Sequence, residues 1–318
     1  MPPAEQISQR SPRDEPHYDA AAPAESLARN TSAGTLARSS TALVGDVWSI
    51  DPADLEFGRV LGQGAFGVVS RGKWRGRDVA VKQIKKSAIG NEQAVRDFEV
   101  EIRRMAALQP HENVVQLYGV VQLENGDIGA VFEFCAQGAL ADALYGDKAR
   151  EWSDEQLLDV AYDAACGIEH LHANNVVHRD IAARNVLLAG KRDLVAKVGD
   201  MGMARELDGT LSEQATQTVI GPLRWMSPEQ LTRLAYSKAS DVFAFGVLLY
   251  EIFAREAPWP GVANVNVLSK VLAGERMTPP AAAPTRVRRL MLACWSAEAS
   301  ERPSMQHIAR QLGKEKEN

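Results

Sequence analysis

The hydrophobic period of this chain changes near Gly138, and that change limits the folds open to it. From Leu55 to Lys86 short apolar runs are broken by glycine, and Val79-Ala80-Val81-Lys82 is a strand-like run bounded by Asp78 and Gln83. Residues 91–108 switch to helical spacing, with Val95, Phe98, Ile102, Met105 and Leu108 on one face. Strand-like runs return at Val114–Val121 and Ile128–Phe134. Beyond Gly138 the pattern is helical. Ser153-Asp154-Glu155-Gln156 predicts a capping box ahead of Leu157, Leu158, Ala161, Ala165, Ile168 and Leu171. Val176–Gly202 reads as loop and short strand. Ser240–Ala254 is apolar nearly all round and so predicts a buried helix, and the last helices fall around Thr285–Trp295 and Met305–Leu312. The expectation is an α+β chain: a small sheet with one helix, followed by a larger, mainly helical part.

Residues 1–47 stand apart. They are rich in Pro, Ser, Ala and mixed charge, with Tyr18 their only aromatic, and no apolar period persists. Such a segment cannot bury enough surface to offset its ordering entropy, so it reads as a disordered tail. Order is expected from Trp48, and residues 313–318 read as a frayed, charged end.

With 45% hydrophobic residues among 318, the remainder can build a sizeable core, and a formal charge of -5 argues against a nucleic-acid binder that works by bulk charge. Cys135, Cys166 and Cys294 are too few and too widely spaced for a disulfide framework, and read as free thiols of a reducing compartment. The membrane-like run Val242–Tyr250 is far short of the ~20 residues needed to span a bilayer. The N-terminus has no basic start followed by an apolar run. A cytoplasmic chain follows, and the sequon at Asn30 reads as chance.

Leu61-Gly62-Gln63-Gly64-Ala65-Phe66-Gly67-Val68-Val69 places G-x-G-x-x-G between two strand-like runs. Glycines let backbone approach phosphates, and a strand after the last glycine favours a hairpin folded over phosphates above a dinucleotide turn, which wants a helix there. A glycine-rich hairpin with no ligand is the plain alternative. Lys82 ends an apolar strand, as a solvated strand end or as a cation aimed at phosphates. The second role needs a carboxylate to hold the side chain. Glu101 shares the helix face of Phe98 and Met105, whereas Glu99 points away from it. In His178-Arg179-Asp180-Ile181-Ala182-Ala183-Arg184-Asn185, Asp180 can orient a hydroxyl and Asn185 can offer a metal a neutral oxygen. Asp200, after the strand-like Ala196-Lys197-Val198, can hold Mg²⁺, which takes few protein ligands and keeps phosphates in its shell. Each piece alone has a bland reading as a turn cap or a plain loop.

Together and in this order, the pieces resemble the protein-kinase family over about residues 48–312. Val79–Lys82 resembles its lysine strand and His178–Asn185 its catalytic loop. Met226-Ser227-Pro228-Glu229 stands where the family has Ala-Pro-Glu, Ser240–Gly246 resembles its buried-helix motif, and Cys294-Trp295 through Arg302-Pro303 its C-terminal motif. The sequence departs from the family at Met201, in place of phenylalanine, at Ser227, and at Gln109-Pro110, which adds a residue before His111. Met201 can still fill an apolar stack with Met105, Leu117 and His178.

The resemblance implies a bilobal fold, with an N-lobe over about 48–135 and a C-lobe over about 136–312. It implies ATP and Mg²⁺ as cofactors. The Gly62–Gly67 loop would cover the phosphates and Lys82 grip them, with Asn185 and Asp200 on the metal. Val69, Ala80 and Leu187 would sandwich the adenine, Glu133-Phe134-Cys135 would form the hinge, and Phe132 would close the back of the pocket. Glu229 and Arg302 would form a buried ion pair, and Asp241 would brace the backbone of His178 and Arg179.

Ala182-Ala183-Arg184-Asn185 and Gly221-Pro222-Leu223-Arg224-Trp225-Met226 look like tyrosine-kinase loops, and Trp48-Ser49-Ile50 like the usual lead-in. Asp200–Glu229 nevertheless contains no tyrosine, while it holds Thr210, Ser212, Thr216 and Thr218. The expected function is an ATP-dependent protein kinase acting on a protein hydroxyl, tyrosine favoured. The alternatives are a Ser/Thr or dual-specificity tyrosine-kinase-like enzyme, and then a pseudokinase scaffold. Activation is expected through an upstream kinase or autophosphorylation at Thr216 or Thr218.

Overall fold

The computed structural model describes residues 48–64, 67–84, 92–123, 126–146, 149–190, 194–200 and 223–316, with the backbone alone of residues 63, 64, 67, 84, 92–97, 99 and 101. The expected tail 1–47, Ala65, Phe66, Met201 and the segment carrying Thr210, Ser212, Thr216, Thr218 and Pro222 lie outside the described residues.

Strands β1 (Ser49–Ile50), β2 (Leu55–Gly64), β3 (Gly67–Trp74), β4 (Arg77–Ile84), β5 (Leu117–Gln122) and β6 (Ile128–Glu133) make one sheet in the order β1-β5-β6-β4-β3-β2. All pairings are antiparallel except β1 on β5, where Ser49 faces Val120. The glycine-broken run from Leu55 holds three strands, and the first, Leu55–Gly64, is continuous through its glycines. Its irregularities are absorbed as register shifts around Val60. Arg75 and Gly76, at φ 48° and 79°, close the β3–β4 hairpin, because a two-residue turn that follows the strand twist needs both residues in the left-handed region. Val114 lies outside β5 and makes a parallel bridge to Val198 instead.

Helix α1 (Glu92–Ala107) buries Phe98, Ile102 and Met105, the face its spacing predicts. After α2 (Leu140–Leu144) comes α3 (Asp154–Ala173), opened by the predicted capping box: Gln156 N donates to Ser153 Oγ at 3.2 Å and Ser153 N to Gln156 Oε1 at 3.1 Å. Strands β7 (Val186–Ala189) and β8 (Val195–Val198) form a separate antiparallel pair. At Gly167 of α3 a Cβ would stand 2.2 Å from Asn113 O, so only glycine lets this loop lie on the helix. The same carbonyl accepts from Val198 N at 2.8 Å, which fixes β8 beside α3.

The C-terminal part continues with α4 (Pro228–Arg233), α5 (Lys238–Ala254), α6 (Asn264–Leu272), α7 (Thr285–Cys294) and α8 (Met305–Lys316). In α5 every residue from Ser240 to Phe253 is buried, so the rest of this lobe is built around it. The chain end is a correction. Residues 313–316 are not frayed but helical. Lys316 Nζ pairs with Asp159 at 2.8 Å, Glu315 with Arg286 at 2.8 Å, and Gly313 sits close enough to Tyr162 that a Cβ would lie 3.2 Å from its ring. A small core of Ile50, Leu55, Val79, Val81, Val121 and Val131 fills one face of the sheet, and one large core runs from Phe98 to Leu312. The architecture is the bilobal α+β arrangement that the sequence predicts.

Candidate active site

Lys82 lies on β4 opposite Val69 and Ala130, and its ammonium reaches 2.5 Å from Asp200 Oδ1, at the end of β8. This ion pair joins residues 118 apart in sequence and ties the large sheet to the small one. Burial pushes the Asp200 carboxyl up, but the Lys82 charge and hydrogen bond, helped by His178 and Arg184, outweigh it and hold the group below its ordinary value. Asp200 is thus an anion at neutral pH, although its side chain keeps 54% of its exposure. Its backbone sits at φ 50°, a left-handed conformation that a non-glycine residue keeps only where its surroundings enforce it. The expected partner of Lys82, Glu101, lies on α1 with its side chain outside the described residues, and so does the rival Glu99.

Asp180, Arg184 and Asn185 lie in contact with one another. Asn185 Nδ2 donates to Asp180 O at 2.7 Å and to Asp180 Oδ2 at 2.8 Å, and Arg184 bonds Oδ1 of the same carboxylate. Among the described residues both side-chain hydrogen bonds of Asn185 are made by its nitrogen. His178 is fully buried: Asp180 N donates to its Nδ1 at 3.3 Å, and its Nε2 faces Gly199 O at 3.1 Å. The histidine therefore links the backbone of Asp180 to that of Gly199, next to Asp200.

Asp241 of α5 supports this loop from below. Its Oδ2 accepts from His178 N at 2.7 Å, its Oδ1 from Arg179 N at 2.9 Å, and His172 Nε2 lies 2.9 Å from Oδ2. Arg179 is held at φ 73° by this contact. Ten residues along the same helix, Glu251 Oε2 accepts from Ala183 N at 3.1 Å and from Trp225 Nε1 at 2.8 Å, while Tyr145 OH donates to Oε1 at 2.7 Å. Complete burial pushes this carboxyl up to about 7, against the pull of its three donors and of Arg184. Arg184 also stacks over the Trp225 ring, 4.4 Å from its centre. Arg224 fixes the neighbouring backbone through Asn264 Oδ1 at 2.7 Å and the carbonyls of Pro258, Trp259 and Val262.

At the hinge, Phe132 faces Ala80 across the sheet. Glu133 N donates to Gln116 O at 2.9 Å, and the Glu133 carboxylate pairs with Lys197 at 3.2 Å. Cys135 is buried, and that burial, with the Glu133 charge, pushes its thiol up to about 12. It is a packed residue, not a reactive thiol. Val68, Val69, Ala80 and Leu187 are half-buried on strands flanking this stretch, while Leu61 and Gly62 are exposed on β2. Gln63, Gly64 and Gly67 are seen as strand backbone, and Ala65 and Phe66 of the expected phosphate loop lie outside the described residues.

Residues 55–312 match the family model described as protein tyrosine and serine/threonine kinase. The chain belongs to that family. Megakaryocyte-associated tyrosine-protein kinase of Rattus norvegicus is 40% identical over 270 residues, which cover 84% of this chain and 55% of the relative. The Mus musculus protein of the same name is 40% identical over 270 residues, 84% of this chain and 50% of the relative. Protein-tyrosine kinase 6 of Homo sapiens is 35% identical over 270 residues, 84% of this chain and 58% of the relative. The chain thus spans roughly half to three-fifths of the length of these relatives. No helix among the described residues is long and apolar enough to cross a membrane.

Within this kinase domain the Glu229–Arg302 pair is bidentate, at 2.6 and 2.8 Å, with the Arg302 side chain fully buried and Glu229 partly exposed. The hydroxyl of Ser227 lies 3.0 Å from Gln230 Oε1, and Ser227 N donates to the same oxygen at 2.9 Å, so the serine that departs from the family caps α4. Sequence reading missed His172, Glu251, Tyr145 and Lys197. One signal was available. Asp241 and Glu251 are the only carboxylates in the apolar run Ser240–Ala254, and a buried acid must find donors elsewhere.

Proposed function

We propose that this chain is an ATP-dependent protein kinase that transfers the γ-phosphate of ATP to a protein hydroxyl, with tyrosine favoured. One observation carries the reading: Lys82 and Asp200 meet at 2.5 Å beside a catalytic loop in which Asn185 and Arg184 both hold the Asp180 carboxylate. Phosphoryl transfer asks a protein for positioning and charge more than for covalent work, and these residues supply both.

ATP with Mg²⁺ supplies the transferred group and a cation for its developing charge. The donors suit that cation: Asp200 is an anionic oxygen ligand, the Asn185 amide oxygen a neutral one, and both are hard. Lys82 would hold the phosphates of the nucleotide. The backbone of Glu133–Cys135 would meet the adenine edge, with Val69 and Ala80 on one side and Leu187 on the other. The glycine-bearing strand backbone around Gly62 and Gly64 would lie over the phosphates. Asp180 orients the acceptor hydroxyl and takes its proton, and Arg184 keeps that carboxylate in place.

Tyrosine is favoured because Arg184 takes the supporting role at Asp180 and packs against Trp225, and because the relatives above are named tyrosine kinases. A reducing, cytoplasmic location suits the buried free thiols of Cys135 and Cys294. Phosphate on Thr216 or Thr218, from this or an upstream kinase, would add about -1.5 to -2 charge for Arg179 to pair with. The test is a peptide library offering Tyr, Ser and Thr in matched contexts, with ATP and Mg²⁺. Phosphate on tyrosine is expected. Phosphate on Ser and Thr alone would overturn the specificity, and no transfer by a folded chain would overturn the activity.

A further inference from the structure

Glu251 meets three separate segments, and one of its donors belongs neither to the catalytic loop nor to the substrate-facing segment. Ala183 N and Trp225 Nε1 both use Oε2. That leaves the plane of the carboxylate undetermined, because the terminal torsion of a glutamate is broad and roughly two-fold. Oε1 is held by Tyr145 OH alone among the described residues, at 2.7 Å. Tyr145 is the C-cap of α2, the short helix that follows the hinge, and is half-buried. The groups that act on Glu251 are Tyr145 from α2, Ala183 and Arg184 from the catalytic loop and Trp225 from the segment before α4. Arg184 is the charged one, and Asp142 acts on Tyr145 from within α2.

We propose that Tyr145 is a positioning residue for the protein-substrate side of the active site: by holding Glu251 Oε1 it fixes the plane of that carboxylate, and with it the joint placement of the Ala183–Asn185 turn and of Trp225. This rests on the kinase reading above. It makes α2 a strut between the nucleotide hinge and the surface where the acceptor hydroxyl arrives. Arg184 stacks on Trp225 and holds Asp180, so a rotation of the Glu251 carboxylate reaches the catalytic aspartate through two contacts.

The experiment is Tyr145→Phe in the full chain, which keeps the ring and removes the hydroxyl. The first measurement follows the Trp225 indole N–H resonance, assigned with Trp225→Phe, as a function of pH. That proton lies on the Glu251 carboxylate and reports its titration near 7. Tyr145 donates to the ionised form, so its loss should move the midpoint up by about one unit. Glu251→Gln should abolish the titration, and adding Tyr145→Phe to it should change nothing further. The second measurement is steady-state kinetics. KM for a peptide substrate should rise several-fold, its acid limb should move to higher pH, and KM for ATP should stay unchanged. An unmoved indole midpoint, or equal changes in the two KM values, would overturn the proposal. A wild-type chain that transfers no phosphate would overturn the kinase reading, and the indole titration would still decide whether Tyr145 holds Glu251.

Discussion

Replacing Asp241 by asparagine changes almost no volume, yet it should cost this domain both stability and turnover. The side chain is 1% exposed, and three donors converge on its two oxygens: His178 N and His172 Nε2 on Oδ2, and Arg179 N on Oδ1. An amide offers one acceptor oxygen and a nitrogen that can only donate. Turned with oxygen toward His178 and His172, it sets its NH₂ against Arg179 N. Turned the other way, it opposes two donors. At least one buried backbone N–H then loses its partner, at about 1–3 kcal/mol, and the remaining bonds lose the charge that strengthened them. We expect Asp241→Asn to destabilise the fold by about 2–4 kcal/mol, which lowers Tm by about 5–10 °C in a domain of this size. Arg179 is held at φ 73° by the lost contact, so the loop should relax and displace Asp180. Scanning calorimetry and steady-state kinetics on the same preparation measure the two effects. A Tm within about 2 °C of wild type, together with unchanged kcat, would show that the loop holds its own shape and that the reasoning is wrong.

Lys82→Met and Asp180→Asn should each abolish most phosphoryl transfer while leaving the thermal midpoint within a few degrees, and near-wild-type kcat in either would remove its assigned role. Asp200→Asn should raise the Mg²⁺ concentration needed for half-maximal rate sharply, read from a metal titration at saturating ATP; an unchanged requirement would exclude Asp200 as a ligand. Glu251 has an ordinary value of 4.5 and is raised to about 7 in the fold, so the native chain holds a proton that the unfolded chain releases between those values. The stability contributed by this group is therefore present at low pH, falls as pH rises from 4.5 through 7, and levels off above, a span on the order of 3 kcal/mol. Urea denaturation of wild type and Glu251→Gln should show the variant gaining relative stability across that window, and a constant difference would contradict it. Gly167→Ala should be severely destabilising, since the new Cβ would stand 2.2 Å from Asn113 O, a backbone atom; a loss below about 1 kcal/mol would mean that the loop moves freely off α3.

The sequence carried those parts of the site whose chemistry is local. Asp180, Arg184 and Asn185 fall within six consecutive residues, so their spacing brings them together, and Lys82 follows a plainly apolar run, although the strand continues past it to Ile84. Long-range pairing entered only through the family resemblance, which assigned Asp241 to the loop it braces and Glu229 to Arg302. Glu251 contrasts with its apolar neighbours, but its donors are a phenol, an indole and a backbone amide, none of which advertises itself by charge. β1 is two residues long and owes its existence to β5, which no local pattern encodes. The helical end at residues 313–316 was misread because Lys-Glu-Lys-Glu is solvated in isolation; here two of those charges pair with Arg286 and Asp159 on other helices.

Helix α5 is also a measuring rod. Asp241 and Glu251 lie ten residues apart, about 15 Å at 1.5 Å per residue, and each grips one end of the catalytic loop. The span of the loop is therefore set by a buried rod that touches no substrate, and residues between the anchors can change chemistry without changing that span. The rod itself tolerates no edit in length. One residue inserted between the two carboxylates would advance Glu251 by about 1.5 Å and turn it by about 100° about the helix axis, taking it away from Ala183, Trp225 and Tyr145 while Asp241 stayed in place. Point substitution can retune this site, but insertion or deletion within that stretch of α5 would dismantle it.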